Sequence, residues 1–224
     1  MSYSNNEVSA IEIPFEHRHH CWFCGEPSQI DFCFPPKCVG DFSEDKEIIL
    51  ESRHPSLNVP CCAECYRLAN QIKADSLWAV NEGVKRRLLH IYRKDLAIGI
   101  NWTQEELKNS GFEGGCFAGF QKSAWFIYEV AKARVSFNGW PIVYQGIDLD
   151  IDIDEQTFVF DGVTYPNVED AVSHYCQVFS LNKPFFQTAF NKVGIDRFAD
   201  VIRFCRLLVG ATPNEQKQSL KEFI

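Results

Sequence analysis

Cys21-Trp22-Phe23-Cys24-Gly25 and Asn58-Val59-Pro60-Cys61-Cys62-Ala63-Glu64-Cys65-Tyr66 are the two stretches on which the reading of this chain turns. Each contains a Cys-x2-Cys pair. A tight turn lets both thiolates of such a pair reach one ion at about 2.3 Å, and two pairs complete a tetrahedron around zinc. Gly25 suits the positive φ that such a turn needs. The pairs are separated by 37 residues, 25 to 61. That exceeds a zinc-ribbon spacing, so an insertion folds between them. A redox Cys-x-x-Cys normally opens a helix in a βαβ setting, and no such pattern surrounds Cys21. The sequence therefore implies one structural Zn2+ held by Cys21, Cys24, Cys62 and Cys65. Cys33, Cys38 and Cys61 compete as ligands. His17, His19 and His20 crowd the first pair and read as a solvated lead-in rather than a second metal site.

The rest of the composition sets bounds. The chain has 224 residues, of which 46% are hydrophobic and 23% charged, which excludes a disordered acidic tail. No apolar run approaches the roughly 20 residues of a membrane span. Met1-Ser-Tyr-Ser-Asn-Asn-Glu7 has neither the basic nor the apolar region of a signal peptide. A cytoplasmic location with no membrane partner is expected, and there cysteines stay reduced. Seven of the ten cysteines fall between Cys21 and Cys65. Cys116, Cys176 and Cys205 read as small core residues. A net charge of −8 argues against a broad electrostatic grip on nucleic acid, leaving only a local basic patch.

The stretch from Cys21 to Asn70 resembles the HNH endonuclease domain, a ββα-metal fold built on a treble clef. Cys21-Trp-Phe-Cys24-Gly25 is similar to the family's first zinc knuckle. Ile30-Asp31-Phe32-Cys33-Phe34-Pro35 is similar to its Asp-His-x-x-Pro strand. Asn58-Val59-Pro60-Cys61-Cys62 is similar to the Asn that precedes the second knuckle and its helix. The departures decide the chemistry. Phe32 stands where the family carries its general-base His, and Tyr66 stands where an Asn or His faces the catalytic metal. Of the polar set only Asp31 and Asn58 remain, with His54 the nearest replacement base, although a loop His before Pro55 reads first as solvated. The resemblance implies the fold and the structural zinc, and argues against phosphodiester hydrolysis.

Beyond the second knuckle, Cys65 to about Arg93 shows helical periodicity, with Asp75 or Ser76 as a cap for a second helix. Lys85-Arg86-Arg87 and Arg93-Lys94 form the one dense basic run, a stripe able to meet phosphates or to be the solvated back of a helix. Thr103 and Glu106 make a capping box. Gly111, Gly114 and Gly115 break the chain, dividing it into an HNH-like zinc domain, 1–115, and a helical α+β domain, 116–224. Ser123 to Val135 reads as a helix. Ile147 to Asp154 alternates apolar and acidic residues like a half-buried strand and is expected to pair with 157–161 as a hairpin, followed by an Asp161-Gly162 turn. Its four aspartates read as a solvated face, not a calcium loop. Helices are expected over 168–179, 185–193 and 195–209. With Gly162-Val-Thr-Tyr165 they loosely resemble the helix-turn-helix modules that accompany some HNH nucleases, although Phe185, Phe186 and Phe190 look more like core than base readers.

The fold class is thus α+β, a treble-clef ββα zinc domain followed by a helical domain with a hairpin. Three functions compete. The first is a zinc-binding, HNH-like but catalytically inactive module that binds DNA or RNA weakly, or a protein partner. The second is a scaffold or interaction protein whose zinc is only structural. The third is an active metal-dependent nuclease whose base has moved to His54 or His90.

Overall fold

The computed structural model describes residues 11–35, 54–109, 116–149 and 157–223. Among these the architecture is α+β, with nine α-helices and three two-stranded antiparallel sheets. The chain divides into two compact units, residues 1–88 with 129–155 and residues 89–128 with 156–224. Each unit therefore draws on two separate segments. The glycine-rich cut expected near residue 115 falls outside the described residues.

In the first unit, β1 (Ile30–Phe34) pairs with β2 (Leu57–Cys61) in the register Phe32↔Val59 and Phe34↔Leu57. Direct partners share a face of the ribbon and alternate residues take opposite faces. Phe32, Phe34, Leu57 and Val59 are accordingly all buried, while Asp31 on the other face is exposed. Helix α1 (Ala63–Ala69) follows at once and lies against β1. Helix α2 (Leu77–Ile91) starts where expected, with Ser76 Oγ accepting the Ala79 N–H at 3.2 Å. Leu77, Val80, Val84 and Leu88 form its buried stripe. Helicity does not run unbroken to Arg93: the chain turns at Tyr92 and α3 (Arg93–Asn101) begins anew.

Helix α4 (Gln104–Lys108) carries the expected box, Thr103 Oγ1 accepting from Glu106 N–H at 3.1 Å and the Glu106 carboxylate from Thr103 N–H at 2.8 Å. Helix α5 (Cys116–Ser136) contributes residues to both units. After it, β3 (Val143–Tyr144) pairs with β4 (Ile147–Asp148). The expected hairpin of 147–154 with 157–161 rests mostly on residues outside the described ones. Gln145 at φ 52° and Gly146 at φ 75° make a left-handed two-residue turn that directs Ile147–Asp148 back onto 143–144. The alternating run beyond residue 149 lies outside the described residues. The segment expected as its partner forms β5 (Phe158–Phe160), which pairs with β6 (Val163–Tyr165) across the expected Asp161-Gly162 turn, both residues of positive φ.

The second unit is closed by α6 (Val168–Val178), α7 (Lys183–Val193), α8 (Phe198–Leu207) and α9 (Pro213–Glu222). Asn167 and Asn182 cap the first two, and Pro184 occupies the first turn of α7 as expected. Phe198, 1% exposed, is the hub of the core. The rings of Phe158, Phe160, Tyr175, Phe186 and Phe190 meet it at 4.8–5.8 Å, mostly edge to face. Phe186 and Phe190 of α7 thus pack into the core, while Phe185 is half-buried against Phe204.

His174 is buried in this unit, its Nε2 without a hydrogen-bond partner among the described residues. Burial depresses its pKa from 6.5 to about 4. The unfolded chain then takes up a proton below about 6.5 that the folded chain refuses, so stability is full above that pH and falls toward pH 4. The loss should reach about 3 kcal/mol. Denaturant melts of wild type and His174→Phe at pH 7 and pH 4.5 are expected to show a smaller acid loss in the variant.

Candidate metal centre

Two local structures bring the four cysteines together. The first is a tight turn in which Gly25 N–H donates to the Cys21 carbonyl at 2.8 Å, with Gly25 at φ 73°. Trp22 N–H donates to the Pro60 carbonyl at 2.9 Å and ties this turn to β2. The second is the start of α1. Cys62 is its N-cap, and Cys62 Sγ accepts the Cys65 N–H at 3.4 Å. The Sγ atoms of Cys21, Cys24, Cys62 and Cys65 all lie within 4.8 Å of one another, and all four residues are buried. Cys24 and Cys62 sulfurs are 3.8 Å apart. Metal–sulfur bonds of about 2.3 Å in a tetrahedron place sulfurs about 3.8 Å from each other, so the donor set fits an ion of zinc's size.

The chemistry of the quartet points the same way. Hydrogen bonds from Cys21, then Cys24 and Cys65, draw Cys62 toward the thiolate, whereas contact with Cys21 pushes the thiols of Cys24 and Cys65 up. Four sulfurs packed this closely cannot all ionise without a cation among them. A divalent ion removes that conflict. This is the one cluster of its kind among the described residues.

Of the competing ligands, Cys61 lies beside the quartet, within side-chain hydrogen-bond reach of Cys21, but outside the group of four. Cys33 Sγ is 3.1 Å from Ser56 Oγ, and Cys61 Sγ donates to the Cys62 carbonyl at 3.3 Å. Cys38 lies outside the described residues. His17 is not simply solvated, because its ring stacks on Trp140 at 4.8 Å; His19 and His20 are exposed.

A third wall of the centre comes from residues 134–140, and the cysteine spacing gave no hint of it. Arg134 Nη2 lies 3.6 Å from Cys24 Sγ and 4.0 Å from Cys62 Sγ, and pairs with Glu64 at 2.6 Å. Trp22 Nε1–H donates to the Trp140 carbonyl at 3.0 Å. Gly139 runs so close to Trp22 that a Cβ there would sit 2.9 Å from the indole nitrogen. A pocket of about 490 Å³ opens beside the centre between His17, His20, Glu26 and Phe137.

The residues that the resemblance singled out are distributed as follows. Asn58 Nδ2 donates to Asp31 at 3.3 Å on the exposed face of the hairpin. Phe32, on the buried face, meets the rings of Phe23 at 5.6 Å and Tyr66 at 6.2 Å, both edge to face. His54 is buried, not solvated. Its Nδ1 lies 2.8 Å from the Pro55 carbonyl and its Nε2 accepts the Leu77 N–H at 2.8 Å, which fixes the Nδ1–H tautomer. Burial lowers its pKa. Nε2 serves the start of α2 and Nδ1 the Pro55 carbonyl, leaving no lone pair to activate a water. His90 belongs to the second unit, its Nδ1 3.3 Å from Gln177 Oε1.

The basic run does not form one stripe. Lys85 is buried with its Nζ on the Asn138 side-chain oxygen, and burial pulls its pKa down to about 8. Arg87 donates to the Leu68 and Gln71 carbonyls, both at 3.2 Å, closing the end of α1. Arg86 pairs with Glu82 at 3.2 Å. Arg93 donates to the His90 carbonyl at 2.9 Å and falls with Lys94 in the second unit. Of the five, Arg86 and Lys94 are exposed.

No helix among the described residues is long and apolar enough to cross a membrane. No family model matches the chain, and neither a curated protein nor a solved structure shows significant similarity to it. The functional reading therefore rests on these residues.

Removing the His54 ring leaves the Leu77 N–H buried without its acceptor, a loss of about 1–3 kcal/mol. Thermal melts of His54→Ala are expected to show that loss with metal content unchanged, and a variant as stable as wild type would contradict the capping role.

Proposed function

We propose that the first unit is a zinc-stabilised ββα module of the HNH type that has lost its hydrolytic centre and works by binding, with a protein as partner. The observation that carries this reading is the pairing of Phe32 with Tyr66 beside a buried cysteine quartet. One knuckle precedes the hairpin and the other opens the helix that packs on it, the order found in the resemblance. At the two positions where that family sets a base and a metal-facing polar residue, aromatic rings fill the space between strand and helix. A phenyl ring neither accepts a proton nor binds a hard cation, and base loss alone costs about 10²–10⁴-fold in rate. Cys21, Cys24, Cys62 and Cys65 would hold a single zinc ion in a closed site, with no coordination position left for water or substrate. The ion would supply cross-linking, joining segments about 40 residues apart, so its binding energy would be folding energy.

Charge favours a protein over nucleic acid. Zinc with four thiolates adds −2 to a chain already at −8. Two members of the basic run are consumed inside the fold. Arg86, Arg93 and Lys94 together would give a salt slope of only about −3.

Protein purified without added metal is expected to carry about one equivalent of zinc by elemental analysis, and chelation should lower its melting temperature. A metal-free chain that melts like the native one would end the zinc reading. Plasmid DNA incubated with magnesium or manganese should remain uncut. Duplex DNA and single-stranded RNA should not be retarded at moderate salt. Retardation that Arg86→Glu with Lys94→Glu abolishes would put nucleic acid in the place of the protein partner.

A further inference from the structure

We infer that Arg134 is a positioning residue of the metal centre, holding a fixed positive charge against the sulfurs of Cys24 and Cys62 and thereby setting how tightly the ion is bound and how slowly the thiolates react. The inference rests on the reading of the quartet as a zinc centre. Arg134 stands 110 positions from Cys24 and 72 from Cys62, yet its Nη2 reaches both. That nitrogen carries two hydrogens. One meets Glu64 at 2.6 Å, and the other points toward two sulfurs that are themselves 3.8 Å apart. The three contacts are mutually consistent. Glu64 lies within the second knuckle, between Cys62 and Cys65, so the carboxylate that steers the guanidinium travels with the ligands it serves.

The surroundings hold this geometry in place. Ala131, Arg134 and Val135 share one face of α5, and all three are buried. Immediately beyond the helix, Phe137 packs on Gly25, where an added Cβ would sit 3.0 Å from the ring. Trp140 then receives the indole N–H of Trp22. The arginine is thus pinned from its own helix and from the loop that follows. A guanidinium keeps its proton at any physiological pH, so its charge is permanent. Zinc with four thiolates is a dianion in a buried site, and a neighbouring cation that also donates N–H···S bonds stabilises it. It also lowers the energy of the sulfur lone pairs, which makes the thiolates poorer nucleophiles. Outer partners of metal ligands typically change affinity by about 10–100-fold when removed.

The test uses the full chain loaded with cobalt(II) or zinc. Arg134→Met keeps length and burial but removes charge and donor. Relative to wild type, its cobalt form should show the sulfur-to-cobalt charge-transfer band at lower energy. Its zinc form should lose metal to a competing chelator about 10–100-fold more readily and release it faster under N-ethylmaleimide. Arg134→Lys should return part of each effect. If Arg134→Met does not fold, Arg134→Gln carries the same expectations, since it loses the charge at similar size. Neutral variants with the wild-type band energy and the wild-type metal affinity overturn the inference while leaving the zinc centre intact. Wild-type protein that gives no tetrahedral cobalt–thiolate spectrum overturns both.

Discussion

Four sulfurs within 4.8 Å of each other are the constraint around which the first unit is arranged. Thiols so close, buried and short of donors are a poor core on their own. They neither pack like aliphatic groups nor ionise together. Every element nearby answers that problem in some way. The Gly25 turn brings two sulfurs to one side. The N-terminus of α1 presents the other two with a backbone N–H already on Cys62. The end of α5 supplies a cation. A divalent ion at the centre would complete the arrangement, and the β1–β2 hairpin is the spacer between the two knuckles.

The same hairpin separates two kinds of chemistry. Its exposed face carries Asp31 and Asn58, bonded to each other. Its buried face carries Phe32, packed between Phe23 and Tyr66. Aromatic rings fill the space between strand and helix.

Much of this was legible in the sequence, and the rest was hidden for identifiable reasons. Cys-x2-Cys pairs announce themselves because the turn that serves a metal fixes their spacing. Ser76 and the Thr103–Glu106 box were readable because capping is local. The second box, Thr212 with Glu215, carries the same signature and was within reach. Arg134 was not: nothing in the residues around it speaks of sulfur 110 positions away. Lys85 was read as part of a basic stripe, phosphate-facing or solvated, because charge was weighed before periodicity. Asn81, Lys85 and Leu88 follow one another at helical spacing, and all three are buried. The β3–β4 hairpin escaped because Gln145 takes positive φ, a conformation in which glutamine is not a customary signal. His54 read as a solvated loop residue because its partner, the Leu77 N–H, is 23 residues on.

The closing of the cysteine centre by residues 134–140 has a consequence for the order in which the protein is made. All four ligands leave the ribosome well before Arg134, Phe137 and Trp140 are synthesised. During that interval the centre has its sulfurs but lacks its cation, the Trp140 carbonyl under Trp22 and the ring over Gly25. The nascent chain thus passes through a stage in which the thiols are most exposed to oxidants and foreign metals. It leaves that stage only when a segment that follows α4 in the sequence comes back to cover them. The interleaved order of the segments makes the arrival of α5, rather than the completion of the knuckles, the step that seals the site.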